Sequence, residues 1–390
     1  MPAETGGASS RDLIVLGSVL VVGAIGALLD TTIVAIAIDD LSDAFSRSVA
    51  ATQWVTTAYL LAMGIVIPLM GWLTDRWGAR RLWLACLAVF GSGSVLCSAA
   101  WSLETLVVAR VIQGLGGGLM LPLVQAILTR AAGPQRIGRV MGGVGIPGQL
   151  APILGPVLGG LILGQWGWNW LFLINVPVCV TAILLAWRVL PDDRPQGAKA
   201  RVGLVGAALL VPSCCAILWG LSSFETGGDG SLVAPVVAML AGAVLLIGFV
   251  AHARHRREQA LVDVRLLGER TFATGAAMTF LFGASLYGAM ILLPLFYQRF
   301  RDLPVSEVGV LLAPQGLGTM AALWIAGRAA DRHGPRVVGL LGAAASLAAL
   351  VAFAAIGADA PIALLGCALV FLGGGLATMG VAATAGASAA

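Results

Sequence analysis

The stretch GWLTDRWGARR, Gly71 to Arg81, places four charged residues within eleven positions of a chain in which only 11% of residues are charged. A second stretch, GRAADRHGPR, Gly327 to Arg336, has the same build. Gly71, Asp75, Arg76, Gly78 and Arg80 each recur 256 residues later, as Gly327, Asp331, Arg332, Gly334 and Arg336. A single loop of this kind, Arg81 included, is explained by basic residues anchoring a helix end. Two loops at matching offsets point to an internal repeat. Gly71 and Gly78 permit a tight turn and a close helix approach. Asp75, between two helix ends, can pair with a neighbouring arginine or with the positive N-terminus of a facing helix.

The surroundings of these loops are apolar. Of 390 residues, 59% are hydrophobic, and the mean hydropathy is +0.95. A soluble domain is nearer half apolar and a quarter charged, so the principal solvent of this chain is lipid. Crossing ~30 Å of hydrocarbon takes about 20 residues at 1.5 Å each. By that measure the sequence predicts twelve helices, over 13–38, 53–73, 82–100, 104–122, 140–163, 169–188, 203–222, 232–251, 273–297, 305–327, 337–357 and 361–383. The two charged loops follow the second and the tenth. The expected fold is all-α and polytopic.

Basic residues set the orientation, because cytoplasmic loops hold the excess of Lys and Arg. With the N-terminus inside, 19 of the 23 Lys and Arg fall on the inner side, against Arg47, Arg299 and Arg301 outside and Arg110 within a span. An even helix count then leaves both termini cytoplasmic. The opening MPAETGGASS lacks a basic region ahead of a short apolar core and reads as a cytoplasmic tail, not a cleaved signal. The longest inner loop carries LVDVRLL, which suits a short amphipathic helix at the membrane surface. The basic residues are spread over many loops, which argues against a nucleic-acid partner.

Charge within a membrane span is costly and usually functional. Asp30, in ALLDTTIVAIAIDD, and Arg110, in LVVARVIQGLGGGLMLP, lie at similar depths below the outer ends of helices 1 and 4. If those helices face one cavity, the two charges can interact directly or through water. A nearby arginine that moves, or a bound cation, would then switch Asp30 between protonated and ionised forms. The alternative is a structural ion pair. Helix 5, MGGVGIPGQLAPILGPVLGG, contains Gly143, Gly145 and Gly148 at G-x-G-x-x-G spacing, but no β-α-β context supports a dinucleotide site. Gly155 and Gly159 instead suit a small-residue helix interface, while Pro147, Pro152 and Pro156 each remove a backbone donor and allow bending.

Catalytic and metal constellations are not found. His252, His255 and His333 are the three histidines, all in inner loops, and the six cysteines sit in apolar runs without metal-ligand spacing. Neither a metal nor another cofactor is expected, and the chain does not read as an enzyme.

Taken together, these segments resemble the major facilitator superfamily, in particular its 14-helix drug/proton antiporter branch. GWLTDRWGARR resembles the signature between helices 2 and 3. ARVIQGLGGG resembles the helix 4 motif through Arg110, Gln113 and Gly114. GQLAPILGPVLGG resembles the helix 5 antiporter motif through Pro152, Gly155, Pro156, Gly159 and Gly160. LDTTIVAIAI resembles the helix 1 motif, bringing Asp30 and Thr32, with departures at Ala35 and Asp39. WNWLFLINVP resembles the start of helix 6. The resemblance implies a two-bundle transporter with a central cavity open alternately to each side. The eight-helix spacing of the charged loops then marks helices 7 and 8 as an inserted pair and leaves the second bundle incomplete. The division expected is 1–190 for a six-helix bundle, 191–252 for the inserted pair and 253–390 for four helices of the second bundle.

The function expected is proton-coupled efflux of amphipathic or cationic drug-like molecules across the inner (plasma) membrane, by a monomer. Export of an endogenous metabolite or antibiotic, and a truncated transport-incompetent fragment, are the alternatives. Asp30 would carry or gate the proton and Arg110 would tune it. Gly148, Pro152, Gly155, Pro156, Gly159 and Gly160 would bend and pack helix 5. Asp75, Arg76, Arg80 and Arg81 with Asp331, Arg332 and Arg336 would latch the cytoplasmic side. Gln53, Trp54, Tyr59, Gln113, Gln149, Asn175 and Gln315 are candidates to line the substrate cavity, each alternatively a helix–helix hydrogen bond.

Overall fold

In hydrocarbon a backbone N–H or C=O finds no water, so a chain this apolar satisfies its backbone within helices. The computed structural model describes residues 10–132, 155, 158–192, 204–226, 233–255, 268–301, 305–356 and 361–388, and no strand occurs among them. In chain order the long helices are α1 (Ser10–Ile36), α2 (Trp54–Trp77), α3 (Ala79–Ser98) and α4 (Leu103–Ala132). Residues 158–166, helical like Gly155, belong to α5, and α6 is Asn169–Val189. There follow α7 (Leu204–Thr226), α8 (Val233–His255), α9 (Arg270–Arg301), α10 (Val305–His333), α11 (Pro335–Ile356) and α12 (Ile362–Ser388). Among the described residues eight of these helices are long and apolar enough to cross a membrane.

Among the described residues the elements fall where the sequence places them, with one clear correction, and most of the helix expected over 140–163 lies outside those residues. α4 continues to Ala132 through Pro122 instead of ending there. A proline removes one backbone donor, and neighbouring helices make that tolerable in a membrane span. α2 is less regular. Around Pro68 it tightens into a 3₁₀ turn, Ile67–Leu69, before resuming as Met70–Trp77.

By its contacts the chain divides into two compact units. One comprises Val19–Ala126 and Val157–Arg265; the other comprises Met1–Ser18, Ile127–Pro156 and Leu266–Ala390. Glycine sets the helix packing in both. In the first unit, a Cβ on Gly114 would sit 2.5 Å from the Tyr59 carbonyl of α2, and one on Gly116 would sit 2.7 Å from the Cys86 carbonyl of α3. In the second unit a Cβ on Gly373 would strike the Gln315 carbonyl of α10, and one on Gly375 would lie 2.7 Å from the Gly342 carbonyl of α11. Gln315 and Gly342 stand 256 residues after Tyr59 and Cys86, the offset of the charged loops. α12 is therefore the counterpart of α4, and the internal repeat extends from the loops into the packing of three helices.

α7 and α8 form their own hairpin within the first unit. A Cβ on Gly220 would lie 2.8 Å from the Pro235 carbonyl, one on Gly242 2.9 Å from the Ser213 carbonyl, and one on Gly64 of α2 3.8 Å from the Leu218 side chain. Much of α8 faces outward, through Val233, Val237, Leu240, Val244 and Ile247, as suits a lipid-facing helix.

The turn between α2 and α3 is made by Gly78, whose φ of 81° and ψ of 154° belong to a region open essentially to glycine alone. Gly334 repeats it at φ 85°. The close approach expected at Gly71 is not present: a Cβ there would meet nothing within 4 Å. The two glycines should accordingly respond in opposite directions. Gly78→Ala is expected to lower unfolding stability by about 1–3 kcal/mol, whereas Gly71→Ala, in an open helical position, should raise it by roughly 0.5–1 kcal/mol. Thermal unfolding in detergent compares the two.

Candidate functional site

Asp30 stands two turns before the end of α1, and Arg110 two turns into α4. Beyond them α1 breaks at Ala37 into a short helix, Ile38–Phe45. There Ile33, Val34, Leu41, Val55, Leu106, Ile162 and Phe172 join in one apolar cluster. That cluster covers the two charges on the side away from the Gly78 turn. Both side chains are fully buried and form a direct ion pair, Arg110 Nη1 donating to Asp30 Oδ2.

The pair is the centre of a larger network. Gln113, one turn on from Arg110 along α4, accepts from Arg110 Nη1 through Oε1 at 2.7 Å and donates from Nε2 to Asp30 Oδ1 at 3.0 Å. The same Nε2 donates to Ser94 Oγ of α3 at 2.8 Å, and the Cys97 thiol donates to Oε1 at 3.5 Å. Asn175 of α6 donates from Nδ2 to Asp30 Oδ1 at 3.1 Å. Arg110 Nε donates to the Val55 carbonyl of α2 at 3.0 Å. The guanidinium lies 3.9 Å from the centre of the Tyr59 ring and 5.7 Å from that of Phe172. Such contacts between a cation and an aromatic face are stabilising, the more so when desolvated. Tyr59 is itself fixed by its hydroxyl donating to the Ala27 carbonyl at 3.3 Å.

Local sequence explains how Asn175 reaches Asp30. Pro177 lacks an N–H, and α6 is divided at Ile174 into Asn169–Leu173 and Asn175–Val189. Asn175 is thus the first residue after a break. Facing it on α1 is Gly26, one turn before Asp30, where a Cβ would stand 3.5 Å from the Asn175 Oδ1. α1 also admits α3 and α6 at Gly23, where a Cβ would press on Trp83, Leu87 and Ala182.

Of the candidates taken from the sequence, the structure brings Asp30, Arg110, Tyr59, Gln113 and Asn175 into one cluster. Gln53 is exposed and Trp54 half-buried at the start of α2, apart from it. Gln315 belongs to the other unit, where its carbonyl accepts from Thr319 Oγ1 at 2.9 Å. Gln149, Gly148, Pro152 and Pro156 lie outside the described residues, as does the LVDVRLL segment. Gly155 is helical and buried, a Cβ on Gly159 would stand 3.4 Å from the Ile33 carbonyl of α1, and Gly160 is exposed, with nothing within 4 Å of where its Cβ would be. Ser94, Cys97, Phe172 and the Val55 carbonyl were not foreseen. Each is an unremarkable residue of an apolar helix until α4 is set beside it.

On the charged loops, Asp75, Arg76, Arg81, Arg332 and Arg336 are exposed; the side chain of Asp331 lies outside the described residues. Arg76 lies over the Trp72 ring at 5.8 Å. The ion pair on the first loop is Arg80 with Asp192, at the end of α6, with a second bond from Arg80 Nη2 to the Trp187 carbonyl at 2.6 Å. At the opposite helix ends Arg47 pairs with Glu104 at 2.8 Å.

Residues 20–390 match the family model of the Major Facilitator Superfamily. The chain belongs to that superfamily. Among curated relatives, a Multidrug resistance protein B homolog of Mycobacterium tuberculosis is 39% identical over 336 residues, 86% of this chain and 62% of that protein. A Putative multidrug resistance protein MdtD of Pectobacterium atrosepticum is 31% identical over 316 residues, 80% of this chain and 66% of its own. The chain thus spans roughly two thirds or less of the length of these relatives. Among solved structures, the proton:xylose symporter XylE superposes with a TM-score of 0.63 at 13% identity, over 97% of this chain and 82% of its own. The human organic anion transporter MFSD10 does so with a TM-score of 0.58 at 18% identity, over 97% and 91%. These likenesses show the fold: an all-α, multi-pass membrane protein of major-facilitator type.

A buried ion pair is destabilised far more by losing one partner than by losing both. Arg110→Leu or Asp30→Leu alone is expected to cost about 3–5 kcal/mol. The double replacement should cost clearly less than the sum. A double-mutant cycle on unfolding in detergent measures the coupling.

Proposed function

We propose that this chain is the transporting part of a proton-coupled exporter of amphipathic or cationic small molecules, an antiporter of the drug/proton branch working by alternating access. The observation that carries this reading is the buried Asp30–Arg110 pair. It is a carboxylate held deep in a membrane span, and its one cationic partner stands on a different helix. The names of the curated relatives, both multidrug resistance proteins, supply the substrate class.

In this reading Asp30 takes up a proton on one side and releases it on the other, and Arg110 partners the ionised carboxylate from release until the next uptake. A charge crossing the full field contributes roughly 2.3 kcal/mol per 100 mV, enough to drive a carrier cycle against a substrate gradient. Trp54, half-buried at the start of α2, offers aromatic surface to an amphipathic cation, while the Tyr59 ring is already taken by Arg110. The prolines and glycines of α5 supply its bend, and the charged loops latch the cytoplasmic side in the outward-facing state. The chain sits in the inner (plasma) membrane as a monomer with both ends cytoplasmic. The organisation that goes with this is a six-helix bundle over 1–190, an inserted pair over 191–252 and second-bundle helices over 253–390.

Proteoliposomes loaded with a cationic dye provide the test. Imposing a proton gradient should drive dye out through the wild-type chain and not through Asp30→Asn. Equal efflux from the two would remove Asp30 from the mechanism. Gradient-independent dye movement in the wild type would overturn the antiporter reading.

A further inference from the structure

The network around Asp30 is saturated with donors, and that raises a specific difficulty for any step that protonates it. Oδ2 faces Arg110 Nη1, and Oδ1 faces Gln113 Nε2 and Asn175 Nδ2. A protonated carboxyl has a hydrogen of its own to donate, so one of these donors must give way to an acceptor. Arginine has none to offer, because every guanidinium nitrogen is a donor. The proton therefore belongs on Oδ1, opposite one of the two amides. An amide can exchange donor for acceptor by a half-turn, since it carries both.

The two amides are not equally free to turn. Gln113 Oε1 already accepts from Arg110 and from Cys97, and its Nε2 donates to Ser94 as well as to Asp30. Turning it would point an NH₂ group at a guanidinium and a carbonyl at the carboxylate. Among the described residues Asn175 makes one side-chain hydrogen bond, to Asp30. Its Oδ1 faces Gly26, which has no side chain to obstruct it. Asn175 also opens the second segment of α6, just after the break at Ile174.

We propose that Asn175 is the positioning residue that follows the protonation of Asp30: it donates to the ionised carboxylate and turns its amide to accept from the protonated one. The proton comes from water and binds Asp30 Oδ1. The hydrogen bond from Asn175 Nδ2–H to Oδ1 is replaced by one from the new O–H to Asn175 Oδ1. Arg110 and Gln113 keep their places, and the change passes to α6 at its break. The proposal rests on the reading of Asp30 as the proton site. Of the other groups facing the cluster, Arg110 on α4 is permanently charged. The rest are the Tyr59 phenol on α2 and the thiols of Cys97 on α3 and Cys179 on α6, whose ordinary values, about 10 and about 8.5, lie above the range tested.

The chain contains two asparagines, Asn169 and Asn175, so ¹⁵N-asparagine labelling gives a spectrum with two side-chain amide pairs. Asn169 donates to the Ser98 carbonyl at 2.6 Å and serves as the internal reference. With the full chain in lipid nanodiscs, lowering the pH from neutral should move the Asn175 pair and leave the Asn169 pair in place. The response should disappear in the Asp30→Leu/Arg110→Leu double variant, which keeps the space filled without charge. Asn175→Leu should lose the pH dependence of dye efflux, and Asn175→Ser, whose hydroxyl both donates and accepts, should retain it. A fixed Asn175 pair in a protein whose efflux still follows the proton gradient would overturn the inference while leaving the exporter reading intact. A response that persists in the double variant would overturn it equally. If the wild type shows no gradient-driven efflux, the exporter reading fails. The dependence of the Asn175 signals on Asp30 still decides the inference in that case.

Discussion

Burying Asp30 beside Arg110 takes two charges out of water, at an effective penalty of several kcal/mol for each. Their mutual attraction offsets this only if the remaining lone pairs and protons also find partners. The structure meets most of that condition, with backbone as well as side chains. Arg110 gains the Val55 carbonyl and the Tyr59 face, both on α2, and Asp30 gains Gln113 and Asn175, while Arg110 Nη2 is left without a hydrogen-bond partner among the described residues. Those partners come within reach because α4 lies almost on the backbones of α2 and α3. The glycines at 114, 116 and 118 allow it: a Cβ on any of them would meet backbone atoms at 2.5 to 2.6 Å. The buried charges and the glycine-rich face of α4 are two parts of one arrangement. A bulky residue at Gly114 or Gly118 would act on the ion pair by moving α4 away from α2.

The network joins five helices, α1, α2, α3, α4 and α6, but it holds them unequally. α3 and α4 are tied through Gln113, whose bonds to Arg110, Ser94 and Asp30 leave it no alternative orientation. α6 gives Asp30 one side-chain bond, from Asn175, next to a point where Pro177 cannot complete the helical ladder, and sets the Phe172 ring against Arg110. The apolar cluster around Leu41, Leu106 and Phe172 closes over the charges on one side, keeping water off that face and so raising the electrostatic stakes of each bond. The pair from Arg80 to Asp192 grips the far end of α6, so that helix is held at both ends and divided near one.

How much of this could be read from the sequence depended on whether the signal was local. A charge in an apolar run is conspicuous anywhere, which made Asp30 and Arg110 visible without coordinates, and the twice-written loop gave the repeat. The helices followed from length and hydropathy, though Pro122 was misread as an end because its tolerance depends on neighbours that a sequence does not display. Tyr59, Gln113 and Asn175 were visible as polar or amphipathic residues in apolar helices, but a cavity lining and a helix–helix bond look alike at that level. Only the arrangement in space brings residues 30, 110 and 175 together. Ser94 gave no signal, since a serine in a membrane helix usually bonds its own backbone. Gly71 misled for the opposite reason: it has the form of a close-packing glycine and stands in the open.

The internal repeat separates the scaffold from its chemistry. Gly373 and Gly375 meet the carbonyls of Gln315 and Gly342 just as Gly114 and Gly116 meet those of Tyr59 and Cys86. With the helices aligned on these contacts, Leu369 and Leu372 occupy the positions of Arg110 and Gln113. Both leucines are buried, in a cluster with Ala289, Leu293, Tyr297 and Phe353. The same three-helix packing is thus built once around a charged, hydrogen-bonded centre and once around leucine. Since leucine suffices to fill this site, a structural role alone does not account for an arginine and a glutamine there, each requiring several exact partners. Charge at this depth carries a continuing cost, and the second unit shows a way of avoiding it within the same chain. On the proposed reading, what the first unit gains in return is a carboxylate that can take up and release a proton, which is the property a proton-coupled cycle requires.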